Sequence, residues 1–121
     1  MRRDDGAAAP VALALVGVLL SCALALGVVG ELLAARQRAA DVADLAALAA
    51  VSSVLPDEAT ACASARWVAQ QHGASTVSCT LVDGDARVEV AVPARGLAAG
   101  LLERVLGSAP ELHAGARAGR R

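Results

Sequence analysis

The chain has 121 residues, which allows at most one domain of ordinary size, and its formal net charge of −1 gives no reason to expect a nucleic-acid partner. Its single aromatic residue is Trp67, so any core must be built from Val, Leu and Ala. Such a core is thin, and a small domain of this kind usually needs a covalent staple or a partner.

The first predicted element is an uncharged apolar stretch near the N-terminus. No charged residue occurs over positions 6–30, and Glu31 follows directly. A helix rises about 1.5 Å per residue, so roughly 20 residues cross a hydrocarbon layer of about 30 Å. We therefore predict a transmembrane helix over residues 10–30, with Pro10 in its first turn, after an N-terminal stub of residues 1–9.

Three other interpretations of this stretch stay open. Residues 23–25, Ala-Leu-Ala, have the small-x-small form of a secretory cleavage site, and a cut there would release a chain that begins at Leu26. Residues 21–22, Ser-Cys, are a weaker match to a lipoprotein signal. The third is a plain anchor with no further role. The apolar residues that follow position 25 argue against cleavage.

Small residues at a spacing of four occur inside the predicted membrane helix, namely Gly17 with Ser21 and Ala23 with Gly27. Such spacings let two helices approach closely, so they predict helix packing, including self-association of this helix. In a segment this rich in Ala and Gly, the same spacings also arise by chance.

The helical pattern continues beyond the apolar stretch as a helix extension over residues 31–55. This extension contains no Pro or Gly, so we predict one helix from about Pro10 to about Leu55 that ends before Pro56. Its second half has a narrow apolar stripe, which includes Val42, Leu45 and Ala49. We predict that this stripe packs on a neighbouring domain or on another copy of the chain and is a candidate partner contact.

A small domain is predicted over residues 56–121, starting with a second helix. Pro56, Asp57 and Glu58 favour a helix start, and Gly73 favours its end after Gln71. The predicted inner face of this helix carries Cys62, Ala65, Val68 or Ala69, and His72.

A β-hairpin and a short helix follow. Asp83-Gly84 predicts the turn between strands over residues 76–82 and 87–92, and in the second strand Val88, Val90 and Val92 share one face. Residues 96–107 have the pattern of an amphipathic helix. The tail from Pro110 fits either a third edge strand or a frayed end. The predicted class is therefore α+β.

Cys62 and Cys79 are the only cysteines after the apolar stretch. We predict that they form a disulfide, which would add roughly 3 kcal/mol of stability in the chain-entropy model. Two buried free thiols are the alternative.

The orientation of the span in the membrane does not follow from charge, because two arginines precede the span and two follow it closely. A disulfide requires an oxidising compartment, which favours a domain outside the cytoplasm.

At this point the chain resembles a known group. The block Arg-Ala-Ala-Asp-Val-Ala-Asp-Leu-Ala-Ala-Leu-Ala-Ala at residues 38–50 follows a charged stub and an apolar helix, and Cys62, Cys79 and the Ala-Arg-Ala-Gly of residues 116–119 come after it. This order resembles the TadE-like pseudopilins of tight-adherence (Flp-type) pilus and secretion systems, most closely an actinobacterial subfamily often encoded near a helicase. The resemblance covers nearly the whole chain and implies a long N-terminal helix that continues into a small pilin-like domain.

The resemblance also implies a processing site, with one departure. Cleavage after Gly6 would make Ala7 the first mature residue and Val11 the fifth. Cleaved members of the group carry Glu at that fifth position, where it helps place the subunit against a neighbouring N-terminal amine. Val11 removes that contact, so an uncleaved, membrane-resident accessory subunit is the other form that the resemblance allows.

No catalytic, cofactor or metal motif is found. His72 and His113 are the only histidines, and a metal site made by them with Cys62 and Cys79 lacks the paired spacing of known zinc sites. We predict a protein that is not an enzyme and holds no cofactor or metal.

The sequence thus predicts a single-pass protein of a bacterial cell membrane with its C-terminal domain outside. We expect a structural TadE-like minor pseudopilin or accessory subunit whose partners are the membrane and other pilus or secretion subunits, and not nucleic acid. The alternative is a small secreted binding module released by signal-peptide cleavage.

Overall fold

A computed structural model describes residues 8–52 and 57–119. Within these residues, three helices and three strands follow one another in the order α1 (Ala8–Ser52), α2 (Glu58–Gln71), β1 (Ser75–Val82), β2 (Asp85–Pro93), α3 (Leu97–Leu106) and β3 (Glu111–Gly119). The predicted α+β class is confirmed.

The 45-residue helix α1 is continuous through the apolar stretch and the helix extension. It has two different surroundings. Up to residue 38 none of its residues is fully buried, whereas from Ala39 onward one face is buried in the domain. That face consists of Ala39, Val42, Ala43, Ala46, Ala47 and Ala50. The predicted helix end near Leu55 lies outside the described residues.

Helix α2 begins where its sequence signals predict. The Asp57 side chain accepts a hydrogen bond from the Thr60 N–H at 3.2 Å and caps the helix start. The helix ends at His72, and Gly73 takes the positive φ of 71° that reverses the chain. Pro56, the predicted first residue, is not among the described residues.

The inner face of α2 consists of Ala61, Ala65 and Ala69. Of the predicted inner residues, Ala65 and Ala69 are buried, and Cys62 and Val68 are part-buried. The assignment of His72 to this face is wrong, because the helix ends there and its side chain is exposed.

The predicted hairpin is present. Asp83 and Gly84 both have positive φ, as a two-residue turn of type I′ requires, and β1 and β2 pair antiparallel with Val82 opposite Asp85. On β2 the predicted face of Val88, Val90 and Val92 is buried.

The tail forms strand β3, which decides between the two forms that the sequence allowed. β3 pairs antiparallel with β2 over its whole length, giving the strand order β1-β2-β3. Alternate residues face the core and are part-buried, namely Leu112, Ala114, Ala116 and Ala118. The short helix α3 is therefore followed by a strand and does not end the domain.

The core lies between this sheet and the two helices α1 and α2. Alanine dominates it, and Val88 and Val90 are the largest fully buried side chains among the described residues. A disulfide joins Cys62 of α2 to Cys79 of β1, with 5.8 Å between their Cα atoms. Among the described elements α3 contacts only α1, so it stands at the margin of the domain.

Candidate membrane and assembly interfaces

The apolar first half of α1, residues 8–30, is a candidate membrane interface. Every residue from 8 to 30 is exposed except Val28, which is part-buried. At about 1.5 Å per residue this segment is about 34 Å long, enough to cross a hydrocarbon layer of about 30 Å. Within the described residues, α1 is the one helix long and apolar enough to span a membrane.

The small residues of this segment are exposed and have no tertiary neighbour. A Cβ added at Gly17 or Gly27 would meet no atom within 4 Å, and the Ser21 hydroxyl donates a hydrogen bond to the Gly17 carbonyl at 2.8 Å. The pair Ala23 and Gly27 lies on a different side of the helix, because residues advance by about 100° each. One neighbouring helix therefore cannot cover both pairs, and their role in packing stays a prediction.

The junction between this segment and the domain is built around Glu31. Its carboxylate accepts a hydrogen bond from the Ala98 N–H at 3.0 Å, which is an unpaired amide of the first turn of α3. Gly96 precedes α3 with φ of 107° and offers no side-chain cap, and a Cβ there would come within 2.7 Å of the Glu31 carboxylate. Glu31 thus acts as the cap of a helix that lies 67 residues further along the chain.

The predicted partner-contact stripe on α1 is divided by the structure. Val42 is 3% exposed and belongs to the core of its own domain, so its assignment to a partner surface is corrected. Leu45 is 45% exposed and Ala49 is part-buried. A helical stripe marks a covered face, and here α2 and the sheet cover the part that contains Val42.

The exposed part of the stripe continues into a shallow groove between α1 and α2. Its lining residues are Ala49, Ser52, Thr60, Ala63, Ser64, Trp67 and Val68. Trp67, the only aromatic residue of the chain, is 63% exposed at this groove, and Leu48 of α1 is 60% exposed. Trp67 is not among the contact residues predicted from the sequence, although a lone exposed aromatic side chain is a frequent anchor of protein interfaces.

The outer face of the sheet is polar and exposed. Arg117 forms an ion pair with Asp85 across the strands β2 and β3, and the His113 imidazole lies 3.7 Å from the Glu89 carboxylate. Arg87 lies opposite Arg117 in the strand register. Because these groups are in contact with water, their ion pairs contribute little to stability, and the face has the character of a solvated surface.

Among the described residues, few side chains are candidates for catalysis or metal binding. Cys62 and Cys79 are joined in a disulfide and provide no thiolate for a metal, and the remaining thiol, Cys22, is exposed on the apolar segment. In the part of the chain that the structure describes, no group of three or more His, Cys, Asp or Glu side chains is arranged to hold a metal ion. The candidate processing site at Gly6 and Ala7 lies outside the described residues.

Comparison with known proteins gives a similarity for the first part of the chain. Residues 6–53 match the model of the Flp pilus-assembly TadE/G-like family, which confirms the resemblance to this family over that part of the chain. The match covers α1 and none of the elements after it. This match supports the role of a pilus-associated subunit. No curated protein and no solved structure matches the chain.

Proposed function

Residues 6–53 are TadE/G-like in sequence, and from this premise we propose that the protein is a membrane-anchored minor pseudopilin or accessory subunit of a Flp/Tad-type pilus or secretion assembly. The observation that carries the proposal is the double role of α1. One uninterrupted helix presents an exposed apolar half of membrane-spanning length and, further along, the alanine face on which the domain is built.

The exposed apolar side chains favour lipid as the surroundings of the first half. Leu13, Val18 and Leu19 are each 60% exposed or more, and they point to three different sides of the helix. A helix that is apolar all round is stable inside a protein core or a membrane, and the described part of the chain provides no core around residues 8–27.

The disulfide supports an orientation with the domain outside the cytoplasm. Disulfides form and persist in oxidising compartments and are rare in the cytosol. Arg36 and Arg38 balance the two arginines that precede the span, so charge does not contradict this orientation.

Anchoring and orientation are tested with the full-length chain in its native host. We expect the protein to stay in membranes through a carbonate wash, and an alkaline phosphatase fused after Arg121 to be active, since this reporter works only outside the cytoplasm. Release by carbonate would contradict the anchor. An inactive phosphatase beside an active cytoplasmic reporter at the same position would contradict the orientation.

The proposed role is structural, and the groove beside Trp67 is the proposed contact with other subunits. It combines the features of an interface centre, with one large aromatic side chain and small residues that leave room for a partner side chain, and Leu45 and Leu48 are exposed next to it on α1.

This contact is tested by placing a photo-cross-linking amino acid at position 67. The matched control is position 82, where Val82 is also apolar and 60% exposed but lies at the far end of strand β1. We expect cross-links to other pilus-assembly proteins of the host, identified by mass spectrometry, from position 67 and not from position 82. Equal products at both positions, or products without any pilus protein, would contradict the assignment.

A small secreted binding module is the second candidate, favoured by the Ala-Leu-Ala of residues 23–25. The entire alanine-rich core lies after this point, so a chain that began at Leu26 would retain it. Leu26, Val29 and Leu33 would then be exposed to water, which argues against this form. The N-terminal sequence of the mature protein separates the forms, because an intact anchor starts at Met1, a processed pseudopilin at Ala7 and a secreted module at Leu26.

A further inference from the structure

Helix α3 has an apolar face that no other part of the described chain covers. Leu97, Leu101 and Val105 on this face are between 59% and 80% exposed, and Leu106, which lies about 100° from Val105 around the helix, is 65% exposed. Over residues 57–119 only three other large apolar side chains are exposed, namely Trp67, Val77 and Val82, and none of them is on α3. Exposed apolar surface is thus concentrated on the element that contributes least to the core.

The arrangement of residues on α3 is that of an amphipathic helix. At about 100° per residue, Leu97, Leu101 and Val105 form one ridge, while Glu103 lies on the opposite side of the helix. Only Ala98 and Ala99 of α3 are buried. Leu102 is part-buried, so the helix touches the domain through two alanines and this leucine and presents its other large apolar side chains outward.

The position of α3 along α1 identifies what covers this ridge. The Ala98 N–H is bonded to Glu31, the first charged residue after the apolar segment. Val28, one turn earlier, is the only part-buried residue over positions 8–30, so the domain reaches down to the last turn of the span. If residues 8–30 occupy the hydrocarbon layer, α3 lies at the depth of the lipid headgroups.

The arginine side chains near α3 also fit a position at the depth of the lipid headgroups. Arg95 lies two residues before α3 and Arg104 lies in its last turn, while Arg36 and Arg38 follow Glu31 on α1 by one to two turns. Arginine side chains at this depth extend to phosphate groups while their aliphatic parts stay in apolar surroundings.

We propose that α3 is an interfacial membrane helix, which lies in the headgroup region with the ridge of Leu97, Leu101 and Val105 in the lipid and is held at that depth by the bond between Glu31 and Ala98. The proposal rests on the membrane anchor of the proposed function. It adds a second lipid contact that would fix the tilt and rotation of the domain relative to the membrane, which a single helix leaves free.

The test uses tryptophan as a depth reporter in the full-length chain. Trp67→Phe provides a background without tryptophan, and Leu101→Trp, Glu103→Trp or Leu19→Trp is added to it singly. Each variant is placed in lipid nanodiscs made from phosphatidylcholine and phosphatidylglycerol with brominated acyl chains, with discs in excess so that each holds one chain. Bromine quenches tryptophan fluorescence only at close range, so quenching reports insertion. An intact Cys62–Cys79 disulfide, measured by mass, verifies folding of every variant.

The proposal expects strong quenching and blue-shifted emission at position 101, and weak quenching at position 103. Equal weak quenching at both positions would overturn it, and would show that water or a protein partner faces the ridge. Position 19 keeps the two proposals apart. Quenching at position 19 without quenching at position 101 overturns the interfacial helix and leaves the anchor standing, whereas no quenching at position 19 overturns the anchor itself.

Discussion

At the scale of single residues, the contact between Glu31 and α3 is the most informative. The first amides of a helix have no partner within the helix, and a carboxylate near them satisfies one donor and interacts favourably with the helix dipole. Gly96 cannot supply this group, so α1 supplies it from a distant part of the sequence. Because Glu31 also marks the end of the apolar segment, the cap couples the position of α3 to the membrane anchor.

Gly96→Ala is predicted to loosen α3. The backbone at residue 96 has φ of 107° and ψ of −173°, a region occupied almost only by glycine, and the new Cβ would displace the Glu31 carboxylate. Backbone strain of this kind costs about 1–3 kcal/mol. We expect faster amide hydrogen exchange over residues 98–106 and unchanged exchange in α2. Gly100→Ala is the control, because a Cβ there meets no atom within 4 Å and Ala favours the helix. Faster exchange from Gly100→Ala than from Gly96→Ala would contradict this account.

Glu31→Ala is predicted to open α3 without unfolding the domain. Loss of a cap costs about 0.5–2 kcal/mol, and the alanine-rich core does not include Glu31. Amide exchange over residues 98–106 should rise, while the urea midpoint of the domain should change little. Asp41→Ala removes an exposed acid of the same helix and is the control. If both variants left the exchange of α3 unchanged, the capping role of Glu31 would be wrong.

At the scale of elements, the disulfide joins α2 to β1 across a sequence separation of 17. In the chain-entropy model a loop of this length adds roughly 3 kcal/mol, which is a large share of the stability of a small domain. Replacing Cys62 and Cys79 together by Ser should therefore lower the urea midpoint strongly, and reductant should have no further effect on that variant. Cys22→Ser, at the exposed free thiol, should leave the midpoint unchanged. A wild-type midpoint that reductant does not alter would contradict the prediction.

The interface between α1 and α2 is predicted to tolerate no increase in side-chain volume. Ala43, Ala46 and Ala65 are completely buried, so the two helix backbones lie close together. Ala43→Leu should destabilise the domain by about 1–3 kcal/mol through overpacking. Ala40→Leu adds the same volume to an exposed position of the same helix and should change stability little. Urea unfolding monitored by circular dichroism measures both, and equal midpoints for the two variants would contradict close packing.

Most elements could be predicted from local signals, and the exceptions have physical reasons. The α2 start, the Asp83-Gly84 turn and the alternation in β2 are local, so each was recognisable. The sequence could not separate strand β3 from a frayed end. Its inward residues are mainly alanine and its outward ones include glycine, so this segment has little strand preference of its own. It is ordered by pairing with the free edge of β2, which the sequence of the tail does not reveal.

At the scale of the whole molecule, the sequence predicts that a surface exists more reliably than what covers it. The apolar stripe that includes Val42 was correctly predicted to be covered at Val42, yet the chain's own domain covers that residue. The contact between Glu31 and Ala98 joins residues 67 apart and has no local signal at either end. Trp67 was not selected because nothing in the α2 sequence tells which side of the helix stays open.

The division of α1 into an anchor and a core helix leads to the last prediction. Leu15→Arg combined with Leu19→Arg places two charges one turn apart in the middle of the apolar segment, and each costs about 2.5–3.5 kcal/mol in a membrane. Because neither residue contacts the domain, the variant should leave the membrane fraction and still form the Cys62–Cys79 disulfide wherever it reaches an oxidising compartment. Carbonate extraction checks the loss from the membrane fraction, and mass measurement with and without reductant checks the disulfide.

The matched control carries the same two charges on the second half of the helix. Leu45→Arg combined with Leu48→Arg changes two exposed leucines that lie well beyond residue 30, so this variant should stay in the membrane fraction. Membrane retention of both variants would mean that residues 8–30 do not hold the chain in the bilayer, whereas release of both would mean that charge on α1 acts through the fold. Release of the first variant alone is the outcome that a helix divided between lipid and protein requires.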